Sequence, residues 1–182
     1  MKNDIFKNVE FPVISAPMFL VSGVDLVVAC CANGTIGSFP ALNQRTTEGF
    51  EEWLLQINSE FERLNCQQRT FGVNLIVHNS NPRVAPDLDM CIKHEVPLLI
   101  TSLGAAKEVI DGVHSYGGKV FHDVINARHA KKAVDAGVDG LVLVAAGAGG
   151  HGGLASPFAL LSEVRKFFDG YIARKRGIQT VF

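Results

Sequence analysis

Apolar residues in this chain gather in short runs separated by amphipathic stretches. The runs are 12–18 (PVISAPM), 35–41 (TIGSFPA), 71–77 (FGVNLIV), 97–103 (PLLITSL), 119–125 (KVFHDVI) and 140–146 (GLVLVAA). They are nearly continuous rather than alternating, as expected of strands covered on both faces in a parallel sheet. Between them, residues 24–32 are apolar and compact. Residues 47–64 place Phe50, Leu54, Ile57, Phe61 and Leu64 at helical spacing. Residues 105–116 and 126–136 predict amphipathic helices, with Gly117 and Gly137 where a helix would stop. The pattern repeats at intervals of roughly 20–35 residues, which suits βα repetition. It predicts six βα units in one domain over 1–182, with no linker.

Two architectures build a parallel sheet from such units. A doubly wound sheet carries its glycine loop after the first strand. Here the first run leads into APMFLVSG, which is no such loop. A (β/α)8 barrel gathers its site residues at the C-terminal ends of several strands. The run ends carry Met18, Asn74, Thr101, Ser102, His122 and Asp123, and then a glycine-rich stretch at 147–157. The fold class predicted is therefore α/β, a TIM-type (β/α)8 barrel. It is incomplete, because such a barrel needs eight strands and about 250 residues.

Composition narrows the function. The chain has 182 residues, of which 47% are hydrophobic, and a formal charge of −1, so no basic surface points to nucleic acid or membrane. The N-terminal MKNDIFKNVEFP is no signal peptide. The apolar stretch 11–32 is broken by Pro12, Pro17, Gly23 and Asp25, so it predicts no membrane span. The four cysteines form no C-x-x-C pair, which argues against a zinc site or disulfide framework. Reduced thiols in a cytoplasmic protein fit best.

The stretch GAGGHGGLASP, 147–157, holds the most pointed chemistry. Glycines let backbone approach a ligand closely, and His151 among them is placed for proton chemistry. The same residues match G-x-G-x-x-G through Gly147, Gly149 and Gly152. However, no strand precedes Asp169 as a dinucleotide site would require. Asn74 in an otherwise apolar strand needs a partner, either neighbouring backbone or a polar ring such as a flavin. His122 and Asp123 are adjacent on one strand, so they face opposite sides, one inward and one toward the helices. Cys91 and His94 share a helix face, but two ligands make no metal site, and none is expected.

PVISAPM, FGVNLI and AGAGGHGG together resemble the nitronate monooxygenase family, formerly the 2-nitropropane dioxygenases. Related flavin-dependent enoyl-acyl-carrier-protein reductases share the pattern. The resemblance runs from about Pro12 to about Phe168. It implies a TIM barrel with FMN at the C-terminal mouth. It further implies that Ala16, Pro17 and Met18 lie against the flavin, that Asn74 bonds it, and that Gly149 and Gly150 let backbone reach it. His151 would meet the nitro or nitronate group and act as base toward a neutral nitroalkane. The reaction implied oxidises nitronates and nitroalkanes with O2 to a carbonyl compound and nitrite. Three alternatives stand beside it: an FMN-dependent enoyl reductase, an NAD(P)H:quinone reductase on the same fold, and an inactive fragment.

The family continues with two more strands, whereas this chain ends DGYIARKRGIQTVF. Arg174, Lys175 and Arg176 are unsuited to a buried strand. Residues 170–182 are therefore expected to be an atypical tail unrelated to a seventh strand, produced by truncation or a shifted reading frame. Open sheet edges at the first and sixth strands would then invite self-association. Expected partners are a small nitronate or nitroalkane and O2, with no nucleic acid and no membrane.

Overall fold

The structure, a computed structural model, describes residues 4–66, 69–150 and 152–175, and the backbone of 180–181. His151 lies outside the described residues. In chain order the elements are α1 (Val24–Ala32), β1 (Gly37–Pro40), a 3-10 turn (Ala41–Asn43), α2 (Thr47–Arg63), β2 (Phe71–Ile76) and α3 (Val84–Lys93). They continue with β3 (Leu98–Ser102), α4 (Lys107–His114), β4 (Lys119–Val124), α5 (Ala127–Ala136) and β5 (Gly140–Leu143). The last are α6 (Pro157–Val164), β6 (Tyr171–Arg174) and β7 (Thr180–Val181).

The strands form one sheet in the order β1-β2-β3-β4-β5-β6-β7. Neighbours from β1 to β6 are parallel, and β7 returns antiparallel to β6. Alternation along each strand separates two cores. Val73, Leu75, Leu99, Val120, Leu141 and Ile172 face the helices. Leu98, Ile100, Phe121, Val142 and Ala173 face inward, joined by Ile5, Ile14 and Ile36.

The helices start and stop where their end chemistry dictates. The Thr46 hydroxyl accepts from the Gly49 N–H at 3.1 Å and caps α2. That helix then buries Phe50, Leu54, Ile57 and Phe61 along one stripe. Asn126 caps α5 by accepting from the His129 N–H at 2.8 Å, and Gly137 ends it at φ +99°.

Two expectations change. Residues 12–18 form no regular strand. Ile14 alone bridges Ile36, in parallel. Pro12 and Pro17 flank that bridge and have no N–H for a longer ladder. The tail, in contrast, does contribute a strand. Gly140, Leu141, Val142 and Leu143 pair with Tyr171, Ile172, Ala173 and Arg174. The strand needs few apolar residues because it is short. Ile172 and Ala173 are buried, and the charges come at its far end. There Arg174 lies over the Phe158 ring, 5.5 Å from its centre. Arg176 lies outside the described residues. The edge of β5 is thus covered by β6.

Candidate functional site

Parallel strands send all their C-terminal ends to one side of the sheet, so the loops after them share a mouth. The loop after Ile14 carries Ala16 and Pro17, both half-buried, and the exposed Met18. Side chains hold this loop in place. Ser22 Oγ donates to the Ala16 carbonyl and accepts from the Met18 N–H, both at 3.0 Å. Asn43, just past β1, accepts from the Leu20 N–H at 3.0 Å. It donates to the Met18 and Ser22 carbonyls at 3.1 and 2.8 Å. Leu20 sits at φ +59°, a strained value for leucine that these bonds help to hold. Asn43 was not among the sequence candidates, although a polar residue closing the run TIGSFPA could have drawn notice.

Asn74 is inward-facing on β2 and 8% exposed. Its Nδ2 donates to the Ile100 carbonyl and to Ser102 Oγ, both at 2.9 Å. A carbonyl can only accept, so this fixes the amide's orientation. Its Oδ1 accepts no hydrogen bond among the described residues, which leaves an acceptor for a ligand donor. The structure therefore gives Asn74 a backbone partner and still keeps one polar atom available.

Ser102, at the end of β3, passes the connection on by donating to Asp123 Oδ2 at 3.1 Å. Asp123 faces inward with Phe121, while His122 turns to the helix layer. His122 Nδ1 lies 2.7 Å from Thr101 Oγ1. Burial, aided by the charge of His129, pulls the imidazole down to about 4, with the Thr101 contact opposing. His122 is thus a neutral, packed histidine at physiological pH. Burial pushes the Asp123 carboxyl above the usual carboxylate range, against the pull of Lys175 and the Ser102 hydroxyl. Ser102, Asp123, Ile125, Val144 and Lys175 share a cavity of about 590 Å³. Neither Asn74 nor the 16–18 loop lines it, so Asn74 meets the cavity through Ser102.

The glycine loop follows β5. Gly147 and Gly150 take φ +79° and +74° with open space where a side chain would stand. The Gly153 N–H donates to the Val144 carbonyl at 3.0 Å, which ties the loop back to the strand end. A Cβ at Gly153 would strike that same carbonyl. Gly149 is half-buried beside the exposed Gly150.

The topology places Ala16, Pro17, Met18, Asn74, Gly149 and Gly150 at one end of the barrel. Among the described residues no hydrogen bond joins these three groups to one another. Around them stand exposed apolar side chains: Phe19, Leu20, Val21, Leu103 and Leu154. No group of three or more His, Cys, Asp or Glu side chains among the described residues could hold a metal. The cysteines are all free, with Cys31 and Cys91 buried. Among the described residues no helix is long and apolar enough to cross a membrane.

An open end with an apolar rim, a free amide acceptor and a backbone loop without side chains fits a flat, partly polar ring.

No family model matches the chain. A curated relative from Rhodococcus jostii (strain RHA1) is (3aS,4S,5R,7aS)-5-hydroxy-7a-methyl-1-oxo-octahydro-1H-indene-4-carboxyl-CoA dehydrogenase. It is 27% identical over 163 residues, which is 89% of this chain and 43% of that protein. Among solved structures, FabK from Thermotoga maritima superposes with a TM-score of 0.80 at 20% identity, over 93% of this chain and 51% of that one. Nitroalkane oxidase from Streptomyces ansochromogenes gives 0.80 at 19% identity, over 93% and 60%. The chain thus spans about half the length of the proteins it matches. With six parallel strands, alternating helices and these neighbours, it has the fold of a TIM-type (β/α) barrel, and that barrel is incomplete.

Proposed function

We propose that the mouth is the ring-binding part of an FMN-dependent oxidoreductase that oxidises nitronates and nitroalkanes with O2 to a carbonyl compound and nitrite. The observation that carries this reading is Asn74. It is buried and oriented by two donated bonds, and its acceptor atom stays available at the end where barrel sites lie. The resemblance of three motifs far apart in the chain supports the same reaction, and a nitroalkane oxidase shares the fold.

When bound, FMN supplies the electron-accepting step and the reaction with O2. The chain's own residues do the rest. Ala16, Pro17 and Met18 form the wall against the ring. Asn74 offers its Oδ1 to a ring donor. Gly149 and Gly150 bring backbone close without side chains. His151 meets the nitro group, donating to an anionic nitronate or accepting a proton from a neutral nitroalkane. Free cysteines accord with a cytoplasmic location, which belongs to this proposal. So does self-association through the short first strand, whose outer side pairs with no strand among the described residues.

A second reading has its own support. The exposed apolar rim suits a bulky acyl substrate, and the curated relative is by its name a dehydrogenase of a carboxyl-CoA compound. It would make the chain part of an enoyl reductase or a quinone reductase. Oxygen uptake with propionate 3-nitronate, compared with NAD(P)H oxidation on an enoyl thioester or a quinone, separates the two. Nitronate-dependent oxygen uptake is expected. Turnover only with NAD(P)H would replace the first reading by the second. A colourless chain that takes up no FMN would overturn both and leave an inactive fragment.

A further inference from the structure

The mouth holds another group suited to moving a proton. Asp123, next to last in β4, lies on the same inward face as Phe121. Its Oδ2 accepts from Ser102, which itself accepts from Asn74, so a polar chain crosses three successive strands toward one carboxyl. No hydrogen bond reaches Oδ1 among the described residues. The carboxyl opens into the cavity of about 590 Å³, beside the apolar Ile125 and Val144.

The charges around it are few. Lys175, just past β6, faces the same cavity, as do His129, Lys132 and Asp135 of α5. His122, adjacent in sequence, also lines this cavity from the helix side, with its Nδ1 at Thr101 Oγ1. β5 places Val142 beside Asp123, and Val144 just past its end lines the cavity, so neither brings a charge. Desolvation outweighs Lys175 and the Ser102 hydroxyl, so the carboxyl binds a proton more readily than in water. A base poised above the ordinary carboxylate range is better matched to carbon acids near neutral pH.

Resting on the flavin-site reading, we propose that Asp123 is a second acid–base group of the mouth, which accepts the proton of a neutral carbon acid such as a primary nitroalkane. The α-carbon–hydrogen bond breaks, and its electron pair stays on the substrate as the delocalised nitronate. The proton forms an O–H bond on Oδ1. Carboxylate and neutral nitroalkane become carboxylic acid and nitronate, with total charge unchanged. The same carboxylate repels a substrate that arrives already ionised. Asp123 thereby biases the site toward neutral substrates, in addition to any part played by His151.

The test compares the wild-type chain with Asp123→Asn and Asp123→Glu. Without flavin, carbon-13 NMR titration of the Asp123 carboxyl should place it above an ordinary aspartate. Because the folded chain holds this proton more tightly than the unfolded one, its contribution to stability is full at low pH and is lost as pH rises through the folded value. Asp123→Asn should therefore melt higher than wild type at pH 7, with the gap closing toward pH 4. With FMN bound, the ratio of kcat/KM on nitroethane to that on ethylnitronate should fall by about 10²–10⁴ in Asp123→Asn and recover in Asp123→Glu. An ordinary titration, or equal loss on both substrates, would overturn the inference. Wild-type protein that takes up no FMN would instead overturn the flavin-site reading beneath it.

Discussion

The two ends of this barrel are built on opposite plans. At the N-terminal end the inner face is plugged by paired side chains, beside a surface cleft of about 680 Å³ lined by Ile5, Thr70, Pro97 and Tyr116. Ile5 enters the inner core, and its carbonyl accepts from Thr70 Oγ1 at 2.8 Å. Tyr171 stacks on Phe121, packs against Phe6 and donates to Asp4 at 3.1 Å. Asp139 accepts from Lys119, the Val120 N–H and His114 at 2.7–2.9 Å. Burial opposes its charge, but these donors win and hold its carboxyl below the usual range. At the C-terminal end, large apolar side chains stand in solvent, and Leu20 and Leu103 both take positive φ. Polar groups line the inside there, and burial shifts the carboxyl among them upward. The difference teaches that one end carries stability while the other keeps its polar and apolar surface for something else.

The largest effect should come from the closed end. Phe121→Ala removes a fully buried ring that packs over Gly140 and Tyr171, and should cost about 3–5 kcal/mol in denaturant unfolding. A loss below about 1 kcal/mol would mean that this end is not the anchor described.

The next effect belongs to pH. His122 is held down to about 4, below its unfolded value near 6.5. The unfolded chain therefore binds the extra proton first. Stability from this group is complete above about pH 6.5 and is lost as pH falls toward 4, by roughly 3 kcal/mol. In His122→Asn that part of the acid limb should flatten in a pH series of melting curves. An unchanged limb would put the acid sensitivity elsewhere.

Much of this division was legible in the sequence. Helix spacing gave 47–64 against an observed Thr47–Arg63, and Gly137 does stop its helix. Asn74 stood out as a buried amide because everything around it is apolar. The opposite facing of His122 and Asp123 followed from strand alternation, but which one pointed inward did not. That depends on register across β3 and β4, set by pairings some 20 residues apart in sequence. For the same reason Ser102 and Asp123 were noted as strand ends and not as partners. The strand at Tyr171–Arg174 was missed because the charges after it masked two buried residues.

Smaller effects sharpen the open end. Asn43→Ala removes three bonds that hold the 16–22 loop, worth about 1–2 kcal/mol locally. Proteolysis within that loop should quicken several-fold while the global melting point barely moves. A matching global loss would make Asn43 part of the anchor. Asn74→Ala should weaken FMN binding by about 0.5–1.5 kcal/mol, or roughly 2- to 10-fold in Kd. A fall of many degrees in the melting point of the flavin-free chain would make Asn74 structural instead.

The central claim, that the C-terminal mouth receives the flavin ring, is tested most directly by hydrogen exchange on the 182-residue chain with and without saturating FMN. Protection should rise in residues 16–22, around Asn74 and across the loop at 147–153, while the amides around Ile5, Val120 and Tyr171 stay as they were. Binding without protection at the mouth, or protection confined to the N-terminal end, would contradict the account.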